Sequence, residues 1–140
     1  CALAAGRNIT LLEEQIKELN PRLVSVMDAE LAEQLRDSLR NVPHAPQIVF
    51  GPGGYEEVAT IPEAQMLVSA MVGAAGLLPT LAAIEAGKDV ALANKEVLVV
   101  AGGLVRDAID FERDLTGGSC IGPCHPSPDL GITPGITYAR

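Results

Sequence analysis

The chain alternates between short runs of apolar residues and longer stretches in which apolar residues recur every three or four positions. A short apolar run is typical of a buried strand, and apolar residues at helical spacing are typical of an amphipathic helix. Because the strand-like and helix-like stretches alternate, they predict an α/β fold, a Rossmann-like, doubly wound parallel sheet with right-handed crossovers. The predicted strands cover residues 1–5, 23–27, 47–50, 66–71 and 89–93, and the predicted helices cover residues 10–19, 29–39, 55–60, 77–86 and 97–108.

Polar residues and glycines mark where the predicted helices begin and end. Thr10 and Glu13 have the spacing of a capping box, which predicts that the first helix starts at Thr10. Asp28 is a good N-cap for the second helix, and Gly87 is a good residue to close the fourth. Residues 51–54, with the sequence GPGG, indicate a turn-rich break before a short third helix.

Composition narrows the class of protein. The 140 residues are 48 % hydrophobic but only 3 % aromatic, so the core is expected to consist of Ala, Val, Leu and Ile. A net charge of −8 argues against a nucleic-acid partner, although a small phosphorylated ligand needs only local positive groups. No apolar run is long enough to span a membrane, and three cysteines make a poor disulfide framework. These features predict a cytoplasmic setting.

The two ends of the chain differ from the middle. The chain opens on Cys1 inside an apolar run and has no initiator Met, so we expect a truncated N-terminus. Residues 116–128 are crowded with Gly, Pro and Ser, and no helical or strand period continues to Arg140. The sequence therefore predicts a domain at residues 1–108 and an irregular tail at residues 109–140, which resembles a frameshifted reading.

Three loops follow predicted strands and are expected to meet at one edge of the sheet, where ligands bind in this fold class. They are residues 6–8, 72–76 and 94–96. Gly6 permits close backbone approach, and Arg7 offers a fork of donors that suits a phosphate and favours NADP over NAD. Arg7 could also be a solvated turn residue. The small residues 73–76 suit either a ligand at a helix N-terminus or close helix–strand packing.

The third loop carries an amide, an ammonium and a carboxylate in succession, Asn94, Lys95 and Glu96. Such groups suit a polar, anionic ligand, but Asn94 could also cap a helix whose dipole Glu96 favours. Neither a G-x-G-x-x-G motif nor a P-loop is present. A C-x-x-x-C-H stretch near the end of the chain matches neither a haem-attachment motif nor a complete zinc ligand set.

Three segments together resemble 1-deoxy-D-xylulose 5-phosphate reductoisomerases. They are ALAAGRN at residues 2–8, VGAAGLLPTLAAIEAGK at residues 72–88 and ALANKE at residues 91–96, and the likeness runs in order over residues 2–105. The resemblance implies an enzyme that converts 1-deoxy-D-xylulose 5-phosphate to 2-C-methyl-D-erythritol 4-phosphate with NADPH, and with Mg or Mn, in isoprenoid precursor biosynthesis. It also implies a homodimeric parent enzyme and a small phosphorylated sugar as substrate.

Carried over residue by residue, the resemblance implies ligand contacts for six positions and closeness to the cofactor for two more. Gly6, Arg7 and Asn8 match residues that meet the adenosine phosphate of NADPH. Asn94 and Glu96 match further NADPH contacts, Lys95 matches a substrate contact, and Ala70 and Met71 are expected near the cofactor.

The departures from the family pattern are equally specific. The family opens with a strand and a G-S-T-G-S-I-G turn that holds the pyrophosphate, and this chain begins after that point, so its sheet is expected to lack the first strand. The family's D-S-E-H metal motif is unmatched, since Asp110, Glu112 and Asp114 follow another pattern. We therefore expect a fragment that is inactive alone, or alternatively a non-catalytic NADPH-binding remnant. An unpaired strand edge is also expected to favour self-association.

Overall fold

The computed structural model describes residues 1–93, Val97, Val99 and residues 102–108. Strands and helices alternate along this part of the chain, as the sequence predicts. The strands are β1 (Ala2–Ala4), β2 (Leu23–Val26), β3 (Gln47–Phe50), β4 (Met66–Ser69) and β5 (Asp89–Leu92). The helices are α1 (Ile9–Leu19), α2 (Ala29–Ser38), α3 (Gly51–Thr60) and α4 (Leu77–Glu85), with a 3₁₀ turn at Gly73–Gly76, and Val97, Val99 and residues 102–108 are also helical.

All strand pairs in the described part of the chain are parallel, which confirms the predicted α/β class. They form two sheets, one with the order β1-β2-β3 and one in which β4 pairs with β5. Leu3 lies beside Val24, which in turn lies beside Ile48, and Val68 lies beside Ala91. Since each pair is parallel, the carboxyl ends within each sheet lie at a common edge.

Strand β2 is buried on both faces, as expected for a central strand of a sheet that carries helices on both sides. Val24 and Val26 point into a cluster formed with α1 and α2, whereas Ser25 points to the opposite face, against α3. Helix α3 contacts all three strands of the first sheet and also packs on α4, so it joins the two halves. The first core contains Leu12, Ile16, Val24, Val26, Ala32, Leu35, Leu39 and Ile48, and the second contains Ile84, Val97 and Val105.

Helix α1 starts differently from the prediction. Its N-cap is Asn8, whose Oδ1 accepts a hydrogen bond from the Leu11 backbone N–H at 3.1 Å, so the predicted capping box is wrong. Glu13 instead accepts from Lys17 Nζ at 2.6 Å, one turn further along the helix. This hydrogen bond, followed by one from Ser38, holds the pKa of Glu13 below its usual range. The Asp28 cap on α2 is confirmed, with a bond of 2.9 Å from the Leu31 N–H.

The predicted break at residues 51–54 is also wrong, because these residues form the first turn of α3. Gly51 has a φ of +73°, which lets the chain turn directly from β3 into the helix. Pro52 is tolerated there because the first N–H groups of a helix have no partner within the helix. Gly54 lies so close to Ser25 that a side chain would not fit. A glycine-rich segment can thus form the first turn of a helix as well as a loop.

An open groove separates the two sheets. Strand β1 on one side and β4 on the other line a space of about 550 Å³, with α3 as its floor. Both strands begin near Glu63, whose carboxylate pairs with Arg22 at 2.5 Å and whose carbonyl accepts from the Cys1 thiol at 3.7 Å. On the β4 side, Met66 and Val68 are 55 % and 66 % exposed. Within the described part of the chain, the structure thus contains the open strand edge that the sequence predicts.

Candidate functional site

The candidate site lies where β1 and β4 end, on the two sides of the groove, and β5 ends beside β4. Ala5 and Gly6 continue directly from β1, and the 3₁₀ turn Gly73–Gly76 follows β4. The Ala93 N–H donates to the Ser69 carbonyl at 2.9 Å, so the end of β5 lies beside the end of β4. Residues 94–96, which the sequence singled out as the third loop, lie outside the described residues.

Backbone hydrogen bonds hold the loop of residues 6–8 in place. The Ala5 N–H donates to the Ser25 carbonyl at 2.9 Å, and the Met27 N–H donates to the Gly6 carbonyl at 3.4 Å. The Ile9 N–H then turns back to the Arg7 carbonyl at 3.0 Å. A Cβ on Gly6 would meet nothing within 4 Å. Packing therefore does not demand glycine at this position, and the space above the Gly6 backbone is open to a ligand.

Arg7 and Asn8 stand at the N-terminus of α1. Arg7 is exposed, and within the described part of the chain no carboxylate pairs with it. The side-chain oxygen of Asn8 is engaged as the helix cap, whereas its exposed side-chain NH₂ donates no hydrogen bond among the described residues. A helix N-terminus favours anions through its dipole and unpaired N–H groups. The loop therefore combines a guanidinium and a helix start, which together can bind a phosphate.

A buried pair of hydroxyls fixes the second wall of the site. Thr80 Oγ1 donates to the Gly76 carbonyl at 2.6 Å and lies 2.8 Å from Ser69 Oγ. This pair ties the end of β4 to the first turns of α4 and holds the 3₁₀ turn between them. Gly73 begins that turn with a φ of +75°, a conformation that favours glycine. Sequence reasoning missed Ser69 and Thr80, because two hydroxyls 11 residues apart have no recognisable spacing.

Tyr55 is a second residue that sequence reasoning missed. Its side chain lies on α3, is only 7 % exposed, and donates from the hydroxyl to the Ala5 carbonyl at 3.0 Å. Burial raises the pKa of Tyr55, and the nearby Asp28 carboxylate raises it further. The neutral hydroxyl that donates this bond is therefore favoured at the point where β1 passes into the loop of residues 6–8.

Ala70 and Met71, which the resemblance places near the cofactor, follow β4 and line the groove.

Among the described residues, no three His, Cys, Asp or Glu side chains come together as metal ligands. Residues 109–140, including Asp110, Glu112 and Asp114, lie outside the described residues. No helix in the described part of the chain is both long and apolar enough to cross a bilayer.

Comparison with known proteins identifies the family. The family model for 1-deoxy-D-xylulose 5-phosphate reductoisomerase matches residues 1–102. The reductoisomerase of Chlorobaculum tepidum is 55 % identical over 108 residues, which cover 77 % of this chain and 28 % of that protein. The chloroplastic enzyme of Mentha piperita is 52 % identical over 104 residues, which cover 74 % of this chain and 22 % of that protein. The chain thus spans about a quarter of the length of these relatives.

Solved structures agree with the sequence comparison. A reductoisomerase crystallised with NADPH, fosmidomycin and magnesium superimposes with a TM-score of 0.74 at 34 % identity, over 79 % of this chain and 27 % of that one. The Zymomonas mobilis reductoisomerase in complex with NADPH gives a TM-score of 0.72 at 39 % identity, over 79 % of this chain and 28 % of that one. The chain belongs to the 1-deoxy-D-xylulose 5-phosphate reductoisomerase family.

Proposed function

We propose that this chain is the nucleotide-binding part of an NADPH-dependent reductoisomerase, and that it binds the adenosine 2′-phosphate end of NADPH through residues 6–8. The exposed Arg7, which pairs with no carboxylate among the described residues, carries the proposal, because it places a guanidinium beside the N-terminus of α1 at one strand end. Gly6 leaves the backbone open above the loop, and Asn8 keeps an amide NH₂ available. These residues fit a phosphate on the adenosine ribose.

The parent reaction that we propose converts 1-deoxy-D-xylulose 5-phosphate to 2-C-methyl-D-erythritol 4-phosphate, a step in isoprenoid precursor biosynthesis. NADPH supplies the hydride in such a reaction, and this chain's part is to bind and orient the adenosine end. Asn94 and Glu96 are proposed as further NADPH contacts, and Lys95 as a contact to the phosphorylated sugar. The named relatives and the NADPH complexes support this assignment.

We further propose that the metal-dependent chemistry resides outside the described residues. Mg or Mn belongs to the parent reaction in this proposal, and the relative that was crystallised with magnesium supports it. Because no acidic cluster is present among the described residues, none of them is assigned a metal-binding role. A cytoplasmic setting and a homodimeric parent enzyme complete the proposal, and an exposed free thiol at Cys1 is compatible with a reducing compartment.

Calorimetry on the purified chain tests the phosphate site. We expect NADPH to bind more tightly than NADH, and Arg7→Gln to reduce NADPH affinity by roughly tenfold, the scale of one charge-assisted hydrogen bond, while NADH binding changes little. Arg40→Gln is the control, because Arg40 is also an exposed arginine but lies just beyond the C-terminus of α2, where it pairs with Asp37 at 3.9 Å. Equal affinities for NADPH and NADH in the unaltered chain would contradict the proposal.

A turnover assay tests whether the chain is inactive alone. The purified chain is mixed with NADPH, Mg or Mn and 1-deoxy-D-xylulose 5-phosphate, and NADPH oxidation is followed by absorbance. We expect binding without appreciable turnover, because no metal ligands are present among the described residues. Steady oxidation above the substrate-free rate would show that the chain is catalytically complete.

A further inference from the structure

The hydrogen-bond ladder between β1 and β2 changes register just before the loop of residues 6–8. In a parallel ladder the N–H and the carbonyl of one residue point to the same neighbouring strand, and the bonds recur at every second residue. The Ala5 N–H follows this rule by donating to the Ser25 carbonyl at 2.9 Å. The next bond of a regular ladder would join the Met27 N–H to the Ala5 carbonyl. The Met27 N–H donates instead to the Gly6 carbonyl, at 3.4 Å.

Tyr55 binds the carbonyl that has left the ladder. Its hydroxyl donates to the Ala5 carbonyl at 3.0 Å, across 50 positions of sequence. The Tyr55 ring is buried between α3 and β1, so the position of the hydroxyl is set by packing rather than by solvent. Without the Tyr55 hydroxyl, the Met27 N–H would be the donor that a regular ladder offers to the Ala5 carbonyl. The tyrosine hydroxyl thus favours the shifted register over the regular one.

The shifted register determines how residues 6–8 leave the sheet. With Gly6 rather than Ala5 bonded to Met27, the chain gains one residue against β2 before it turns at Arg7. The Ile9 N–H then closes the turn on the Arg7 carbonyl, and Asn8 caps α1. A return to the regular register would shift Arg7 relative to the helix N-terminus with which it shares the proposed phosphate.

We infer that Tyr55 is a positioning residue for 2′-phosphate recognition, because its hydroxyl holds the Ala5 carbonyl out of the ladder and so presents Arg7 and the α1 N-terminus to one phosphate. This inference rests on the proposed function and adds a specificity-determining residue that does not itself contact the ligand. The raised pKa of Tyr55 agrees with it, since the protonated, donating form of the hydroxyl is favoured.

The test uses the full chain, Tyr55→Phe, and two probes that differ by a single phosphate, adenosine 2′,5′-bisphosphate and adenosine 5′-monophosphate. The unaltered chain is expected to prefer the bisphosphate. Tyr55→Phe removes only the hydroxyl and is expected to reduce that preference by roughly three- to tenfold, the range that one side-chain hydrogen bond supplies, while the affinity for the monophosphate stays constant. Hydrogen exchange at the Met27 amide is expected to slow, because its N–H regains a short bond to Ala5.

Thr60→Val is the matched control. It removes another hydroxyl of α3 that donates to a backbone carbonyl, that of Glu56 at 2.8 Å, and it is expected to leave the preference unchanged. In an Arg7→Gln background, Tyr55→Phe is expected to have no further effect on the preference, because it acts through Arg7.

The possible failures are distinguishable. An unaltered chain that shows no preference for the bisphosphate overturns the proposed function and this inference together. A preference that persists in Tyr55→Phe overturns the inference alone. Equal weakening of both probes, or a Tyr55→Phe chain that is unfolded at 25 °C by circular dichroism, assigns Tyr55 to general stability and likewise overturns the positioning role.

Discussion

At the scale of single residues, Gly54 on α3 and Ser25 on β2 fit closely together. A Cβ built on Gly54 would lie 2.8 Å from Ser25 Oγ and 3.2 Å from the Val49 backbone carbon. Ser25 is fully buried, and its hydroxyl has no hydrogen-bond partner in the described part of the chain. The close approach of α3 to the sheet therefore excludes a side chain at position 54 and leaves the hydroxyl unsatisfied.

Gly54→Ala should lower the free energy of unfolding by about 1–3 kcal/mol, because the added methyl group forces α3 away from β2. Gly53→Ala is the control on the same helix, since a Cβ there meets nothing within 4 Å, and it should raise stability by up to about 1 kcal/mol through helix propensity. Urea denaturation followed by circular dichroism measures both. Equal effects of the two substitutions would show that packing against Ser25 is not what requires glycine.

At the scale of elements, Lys88 joins the connection between α3 and β4 to the turn that precedes β5. Its side chain is 7 % exposed, and Nζ donates to the carbonyls of Ile61 and Ala64. Ile61 is the C-cap of α3, where unpaired carbonyls and the helix dipole favour a cation. The lysine, which directly precedes β5, thus bonds two carbonyls of the connection that leads from α3 into β4.

Lys88→Met should keep most of the side-chain packing while it removes the hydrogen bonds to Ile61 and Ala64. We expect a loss of about 1–3 kcal/mol of stability, because two carbonyls lose charge-assisted bonds in a partly buried site. Lys17→Met is the matched control, since Lys17 pairs with Glu13 on the exposed face of α1 and should cost at most about 1 kcal/mol. Thermal unfolding of the two variants compares them, and equal shifts would argue against the structural role of Lys88.

At the scale of the whole molecule, a groove lies between the two sheets. Strands β1 and β4 each pair on one side only, within the described part of the chain, and their other edges face the groove. Open strand edges with exposed apolar side chains promote pairing with another chain. The isolated chain is therefore expected to self-associate at high concentration.

Val68→Lys should reduce this self-association, because a charge on the open edge of β4 opposes pairing by another strand. Val72→Lys is the matched control, since Val72 is 90 % exposed but lies beyond the end of β4. Sedimentation velocity over a concentration series should show a shift toward monomer for Val68→Lys and little change for Val72→Lys. Similar behaviour of both variants would indicate that net charge, rather than the strand edge, governs association.

The sequence by itself determined the α/β class, the order of strands and helices, the Asp28 cap and the family. These features depend on local periodicity and contiguous motifs, which are visible without knowledge of distant contacts. Arg7 could likewise be proposed as a phosphate-binding residue from its position after an apolar run. The Asn8 cap of α1 and the helical state of residues 51–54 could not, because the spacing of Thr10 and Glu13 also fits a cap locally and because the fit of Gly54 depends on Ser25 in another strand.

Only the tertiary structure decided which distant residues support the candidate site. Tyr55 reaches Ala5 across 50 positions, and Ser69 meets Thr80 across a strand–helix turn. Such hydrogen bonds depend on how elements pack, and no period or spacing in the chain encodes them. The division into two sheets with a groove between them is of the same kind, since strand pairing is a long-range property that each apolar run alone leaves open.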